Sequence, residues 1–298
     1  MSTGDDRPAR VIVGFDGSDD AQAALAFGLA NAKARGAELA IVYAVDDTVL
    51  NSAWGVVFDP DEIKRGAGAM LDDTTKELVK QGFPAARIRT SVVLGAPPTA
   101  LSRLSEWACL VVVGRRSDSS ERAFVGSTAV GAAATSRCPV VVVCADQPLR
   151  EETKRIGVAI NAAVRLGGHG LDWALDEARR TGASLTVLSV AKAVTSRFFA
   201  SNTTQQQQDE MVAETRQRVD AIVAHARESH PDVTIGAEVA YGSPVDTLVA
   251  RSADLDLLVA EVQTSFPTFA VSGVARGIMT HAHCPVALLR AKDARSNG

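Results

Sequence analysis

Leu110 to Thr128 reads LVVVGRRSDSSERAFVGST, and this stretch decides the fold. Leu110 to Val113 are four consecutive apolar residues, as in a strand buried on both faces. Gly114 ends the run. A polar, arginine-bearing loop follows, and Gly126-Ser127 then opens an alanine-rich apolar segment that reads as a helix. Strand, glycine, basic loop and Gly-Ser at a helix start are the parts of a backbone cradle for phosphate. Glycine lets main chain approach a ligand, and the first N–H groups of a helix favour an anion. The same parts also make an ordinary strand-to-helix loop in an α/β protein.

Working outward, the pattern alternates strand and helix. Arg10 to Phe15 is β-rich and ends in Asp16-Gly17-Ser18, with Ser18 suited to cap a helix and Asp19 and Asp20 suited to its positive end. That helix stops at Gly36. Leu39 to Val45 reads as a second strand. A helix from about Pro60 to Gln81 turns Ile63, Ala67, Met70, Leu71, Thr74 and Leu78 inward at three- and four-residue spacing. Ile88 to Leu94 is the third strand. Gly95-Ala96-Pro97 leads into a helix ending near Trp107, and Val140 to Val143 is the fifth strand.

The second half starts again. Arg155 to Ile160 repeats the first strand, with Asn161 in the place of Asp16. Leu185 to Val190 repeats the second strand, and Gly242-Ser243-Pro244 echoes Gly95-Ala96-Pro97. Leu255 to Ala260 echoes the fourth strand. The spacing from Gly36 to Gly182 equals that from Cys138 to Cys284, which marks a tandem duplication. We expect one domain over residues 1–149 and another over 150–298. Each alternates βαβαβαβαβ, which gives a doubly wound parallel sheet. In such sheets ligands sit at the carboxyl ends of strands where strand order reverses, so Asp16 and Gly114 are expected in one crevice. The run Gln205 to Gln208 reads as a solvated loop or frayed helix start.

The totals narrow the function. The 298 residues are 46% hydrophobic with net charge −4 and no long basic run, which argues against a nucleic-acid partner. No apolar run approaches the roughly 18 residues of a membrane span. The N-terminus lacks an export segment, and four cysteines without a CxxC pair suit a reduced, cytoplasmic compartment. Cys138 and Cys284, each before a proline, read as packing residues. His281, His283 and Cys284 lie near a helix end, where histidine suits the dipole better than a metal. Gly167 to Gly170 reads as a lengthened loop at the second unit's first helix start.

Taken in order, VIVGFDGS (Val11 to Ser18), GAP (Gly95 to Pro97), LVVVG (Leu110 to Gly114), Gly126-Ser127 and CPVVVV (Cys138 to Val143), then their repetition, resemble the universal stress protein family in its tandem form. The resemblance implies two five-stranded parallel sheets of order 3-2-1-4-5, like adenine-nucleotide α-hydrolase folds. It implies pairing through the last strands, Val140 to Val143 and Val286 to Leu289, as a homodimer or an intramolecular pseudo-dimer. Nucleotide-holding members carry Gly-x2-Gly-x9-Gly-Ser/Thr after the fourth strand. By that likeness Asp16 and Ala44 would meet ribose and base, and Gly114, Gly126 and Ser127 the phosphates of ATP, with Mg²⁺. Arg116, with Arg115 and Arg122, would steer the anion.

The first half departs from the signature at Ser117, which stands at the second glycine before a shortened loop, and at Ala129, where a hydroxyl is common. The second half departs further. Glu261 replaces the closing glycine, Thr264 the next, and Ser272-Gly273 reverses the Gly-Ser order. A carboxylate about 4 Å from a phosphate is opposed by about 4 kcal/mol at an effective dielectric near 20. We therefore expect nucleotide in the first domain alone. Glu261 would otherwise point to solvent or pair with Arg251 or Arg276. The expected function is a non-catalytic stress-response protein. The alternatives are a scaffold holding no nucleotide and, more remotely, an ATP-hydrolysing enzyme, which would want Ser-Gly-Gly where Asp16-Gly17-Ser18 stands.

Overall fold

The computed structural model describes residues 9–46, 60–117, 125–148, 153–161, 168–191, 204–262, 264–265 and 270–291. The chain divides into two compact units, Met1–Gln147 and Pro148–Gly298. Arg122 and Gly167 lie outside the described residues.

The first unit runs β1 (Arg10–Gly14), α1 (Asp19–Arg35), β2 (Glu38–Val45), α2 (Pro60–Lys80), β3 (Ile88–Leu94), α3 (Pro97–Leu104), β4 (Leu110–Gly114), α4 (Ser127–Thr135) and β5 (Val140–Val143). Among the described residues its four strand pairings are parallel. β1 lies between β2 and β4, β2 also pairs β3, and β4 also pairs β5, giving the order β3-β2-β1-β4-β5. The central strands are the most apolar because helices cover both faces. Leu110 to Val113 and Val140 to Val143 are all buried, each contributing roughly 1.5–3 kcal/mol of side-chain burial. β3 is the edge, and its Arg89, Thr90 and Ser91 are exposed. On α2 the expected inward face holds: Ala67, Leu71 and Leu78 are buried, with Ile63, Met70 and Thr74 half-buried beside them.

The second unit runs β6 (Arg155–Ala159), α5 (His169–Thr181), β7 (Ser184–Ala191), α6 (Gln205–Ser229), β8 (Ile235–Tyr241), α7 (Pro244–Ser252) and β9 (Leu257–Val262). A small hairpin, β10 (Thr264–Ser265) and β11 (Ala270–Val271), follows, then α8 (Gly273–His281) and β12 (Val286–Arg290). Its parallel pairings give the matching order β8-β7-β6-β9-β12.

The repeat extends to packing detail. α1 and α5 both close on a left-handed glycine, Gly36 at φ 63° and Gly182 at φ 65°, a conformation that residues with a Cβ resist. A Cβ on Gly131 would come within 2.5 Å of Pro98, and one on Gly277 within 2.6 Å of Val245. Each glycine thus lets the last two helices of its unit cross closely. Ser105 and Ser252 play one role: each hydroxyl accepts the backbone N–H two residues ahead of the last strand's proline, from Arg137 at 2.9 Å and His283 at 2.8 Å.

The glutamine run takes one of its two expected forms, a helix start: it is the first turn of α6, because Thr204 and Gln207 form a reciprocal capping box. Two local expectations change. β9 starts at Leu257 and not Leu255, because Asp256 turns inward to accept the Lys154 and Arg155 amides at 2.9 Å each. His169 and Gly170 are not loop: they open α5, with Gly168 as its N-cap.

Candidate functional site

At the carboxyl ends of β1, β2 and β4 a cleft opens with about 620 Å³ of space, its mouth included. Its floor is apolar: Phe15, Val42, Leu101, Val113 and Ala129 are all buried. Asp16, Ala44, Gly114, Arg116, Gly126 and Ser127 all line it, so the residues singled out in the sequence converge on one opening. Ser117 lines it as well, at the place where the family signature has glycine.

Each wall follows from local chemistry. Asp16 is exposed, and its Oδ1 accepts the Ser18 N–H at 3.1 Å and the Ser18 hydroxyl at 2.6 Å. Ser18 in turn accepts the Ala21 N–H, which starts α1. On the opposite side, Gly126 donates its N–H to the Arg115 carbonyl at 2.8 Å, closing the ends of the loop. That amide is therefore committed. α4 begins directly after it with no side-chain cap, so its first turn, Ser127 to Ala129, meets the cleft with main-chain donors and the positive end of the dipole.

Two of these residues also serve the protein itself. Gly114, expected as a close-approach point for phosphate, is packed closely on its other side. A Cβ there would lie 2.9 Å from the Asp20 backbone carbon and 3.0 Å from the Ala21 nitrogen. The glycine lets α1 sit down on the end of β4. Arg116 was expected to steer an anion, yet its charge is spent within the protein. Its backbone N–H and Nε reach Asp20 Oδ2 at 2.9 and 3.1 Å, and Nη2 reaches Asp146 at 3.1 Å and the Cys144 sulfur at 2.8 Å. Hydrogen bonding to Asp20 raises the Arg116 pKa beyond its already high value. Arg115 also lines the cleft, and burial lowers the pKa of its guanidinium from the ordinary arginine value.

Asp20 is the residue whose role the sequence did not disclose. It is 4% exposed. Besides Arg116 it accepts the Ala145 N–H at 2.8 Å, so one carboxylate ties α1 to the ends of both β4 and β5. Burial raises its pKa, but the bonds from Arg116 and Ala145 outweigh that, and the net shift is downward. Two adjacent aspartates in a helix's first turn were visible; that one of them would be buried was not.

The second unit builds the same corner differently. Glu261, next to last in β9, stands where Gly114 ends β4. Its Oε1 accepts the Gly170 N–H in the first turn of α5 at 2.7 Å. The expected partner Arg251 pairs instead with Glu238. Room for the side chain comes from Gly168 and Gly170, where a Cβ would fall 2.4 and 2.9 Å from Glu261 atoms. The carboxylate occupies the anion-favouring end of α5. Elsewhere in the unit, His281 falls in the last turn of α8, Cys284 is buried, and Cys138 in the first unit is half-buried.

A duplicated, doubly wound α/β chain with a glycine-rich cleft at its first switch point defines the class. Residues 9–143 and 152–290 each match the model of the universal stress protein family, and the chain belongs to that family. A universal stress protein of Mycobacterium tuberculosis H37Rv is 30% identical over 258 residues, 86% of this chain and 90% of that one. A second from the same strain is 24% identical over 297 residues, covering 94% and 96%. Among solved structures, a universal stress protein from Archaeoglobus fulgidus has a TM-score of 0.68 at 17% identity, over 96% of this chain and 98% of its own. A functionally unknown protein from Pseudomonas aeruginosa has a TM-score of 0.67 at 15% identity, over 95% and 93%. Among the described residues no helix is long and apolar enough to cross a membrane.

Proposed function

We propose that this is a non-catalytic stress-response protein that holds one ATP, with Mg²⁺, in the cleft of its first unit and none in the second. The observation that carries the reading is the contrast at the two helix starts. The first turn of α4 meets an open cleft without a side-chain cap, whereas in the second unit Glu261 already sits as an anion on α5. Asp16, Ala44, Ser127 and its neighbours all line that cleft, and by the family likeness Asp16 and Ala44 would meet ribose and base, Ser127 and its neighbours phosphate. Among the described residues no group of three or more His, Cys, Asp or Glu could hold a metal ion. Mg²⁺ would therefore ride on the phosphates, as that ion commonly does.

Equilibrium titration with labelled ATP tests this. We expect saturable binding of one nucleotide per chain, abolished by Gly126→Glu, which sets a carboxylate at the first turn of α4. Two sites per chain, or binding indifferent to Gly126→Glu, would overturn the reading. Pyrophosphate release above the Gly126→Glu control would overturn its non-catalytic part. One observation favours a scaffold that holds no nucleotide: Arg116, the expected anion partner, is consumed by Asp20. Absence of binding at millimolar ATP selects that reading.

A further inference from the structure

At the far end of the first sheet, where the strands begin, two cysteines meet. β4 and β5 pair in parallel with Val111 opposite Val140. Two residues back along both chains, that register sets Cys109 opposite Cys138. Adjacent strands lie about 4.7–4.9 Å apart, inside the 4.4–6.8 Å Cα separation that a disulfide spans. Both residues precede their strands, in bends where backbone and side chain are less constrained than in the ladder.

Other observations single out this pair among the four cysteines. Cys109 and Cys138 are both half-buried, whereas Cys144 and Cys284 are each 1% exposed. The Cys109 sulfur lies 3.3 Å from the Arg10 carbonyl, and Cys138 is near enough to the Val111 N–H and to Cys109 to feel both. Burial first, and then Cys109, push the Cys138 thiol up to about 12, so two thiolates side by side are disfavoured there. In the second unit the position matching Cys109 is Asp256, which seals the start of β6. The pair belongs to the first unit.

We infer that Cys109 and Cys138 form a dithiol site that hydroperoxides oxidise to an intramolecular disulfide. The Cys109 thiolate attacks the peroxide O–O bond, giving a sulfenic acid, and with one proton from solvent the alcohol leaves, or water for hydrogen peroxide. The second thiol attacks that sulfur, the S–S bond forms, and the hydroxyl leaves with the thiol's proton as water. Two thiols lose two electrons and two protons, and the peroxide takes them up. The site lies at the opposite end of the strands from the cleft, so its closure leaves the cleft residues in place.

The test uses the full chain treated with hydrogen peroxide and then denatured under alkylation. We expect the count of free thiols to fall from the four of the sequence to two, and to return to four with dithiothreitol. Non-reducing peptide mapping should join the Cys109 and Cys138 peptides, and Cys109→Ser or Cys138→Ser should abolish that species. A chain that keeps four thiols would overturn the inference. So would a disulfide joining two chains or engaging Cys144 or Cys284, or a sulfinic acid at either cysteine with its neighbour still reduced. The wild-type measurements decide the matter even if a serine variant fails to fold.

Discussion

The two units solve one packing problem in opposite directions. In each, the first helix must be fastened to the end of the fourth strand. In the first unit the strand ends in glycine, and the helix supplies the carboxylate: Asp20 reaches across to the Arg116 and Ala145 amides. In the second unit the helix supplies the glycines, and the strand supplies the carboxylate: Glu261 reaches back to the Gly170 amide. The helices differ to match. α1 has 17 residues and α5 has 13, about one turn less, and the Glu261 side chain takes up the space beside the shortened end. The same fold survives both solutions. In the first, the fastening carboxylate of Asp20 does not line the cleft.

Asp20→Ala should break the first unit's solution with the largest effect. It leaves the Arg116 guanidinium, itself 18% exposed at its side chain, without its buried partner. Truncating one member of a buried pair costs about 3–5 kcal/mol. Chemical denaturation, followed by hydrogen exchange at β4 and β5 amides, would measure it. The pH dependence has a definite sign. The folded pKa of Asp20 lies below its ordinary value, so its contribution is complete above the unfolded aspartate pKa near 3.9. It is lost as pH falls through the folded value. The gap between wild type and variant should therefore be wide at pH 7 and narrow below about pH 4. A gap that widens in acid would contradict the assignment.

Gly114→Ala tests whether the glycine serves the helix or a ligand. The added Cβ meets backbone atoms of Asp20 and Ala21 at 2.9–3.0 Å, and these cannot rotate away. Overpacking of this kind costs about 1–3 kcal/mol. We expect the loss with and without ATP alike. If Gly114→Ala left stability intact and weakened only nucleotide binding, the glycine would be a ligand contact first.

Most of this architecture was legible because it rests on patterns with a short physical range. Buried parallel strands read as apolar runs, helix ends read from Ser18, Gly36 and Gly182, and the duplicated spacing supplied the rest. What stayed hidden depends on which side chain reaches across a corner. Asp20 and Arg116 are 96 residues apart, as are no two members of a local motif, and a charged residue in a helix's first turn reads as solvated. Glu261 was legible as an intruding charge, but its partner was not, because a backbone amide leaves no trace in the sequence. The hairpin at Thr264–Ser265 and Ala270–Val271 escaped because two residues per strand are too few to carry a period.

Glu261→Ala carries the smallest effect and sharpens the comparison most. Glu261 acts as an N-cap supplied from outside the helix, since Gly168 at the true N-cap has no side chain to offer. Loss of an N-cap acceptor costs about 1 kcal/mol, well below the expected cost at Asp20, because among the described residues this carboxylate fastens one amide and no arginine. Hydrogen exchange at Gly170 should accelerate, while β9 amides hold. Glu261→Gln separates charge from hydrogen bond, as its carbonyl still accepts the amide but carries no charge for the helix dipole. Recovery of protection at Gly170 by glutamine would make the hydrogen bond the larger part, and failure to recover would make it the charge. Neither variant should gain ATP binding, because Asn161 and the reversed Ser272-Gly273 remain. Saturable binding by Glu261→Ala at a second site would show that one carboxylate was all that separated the two units.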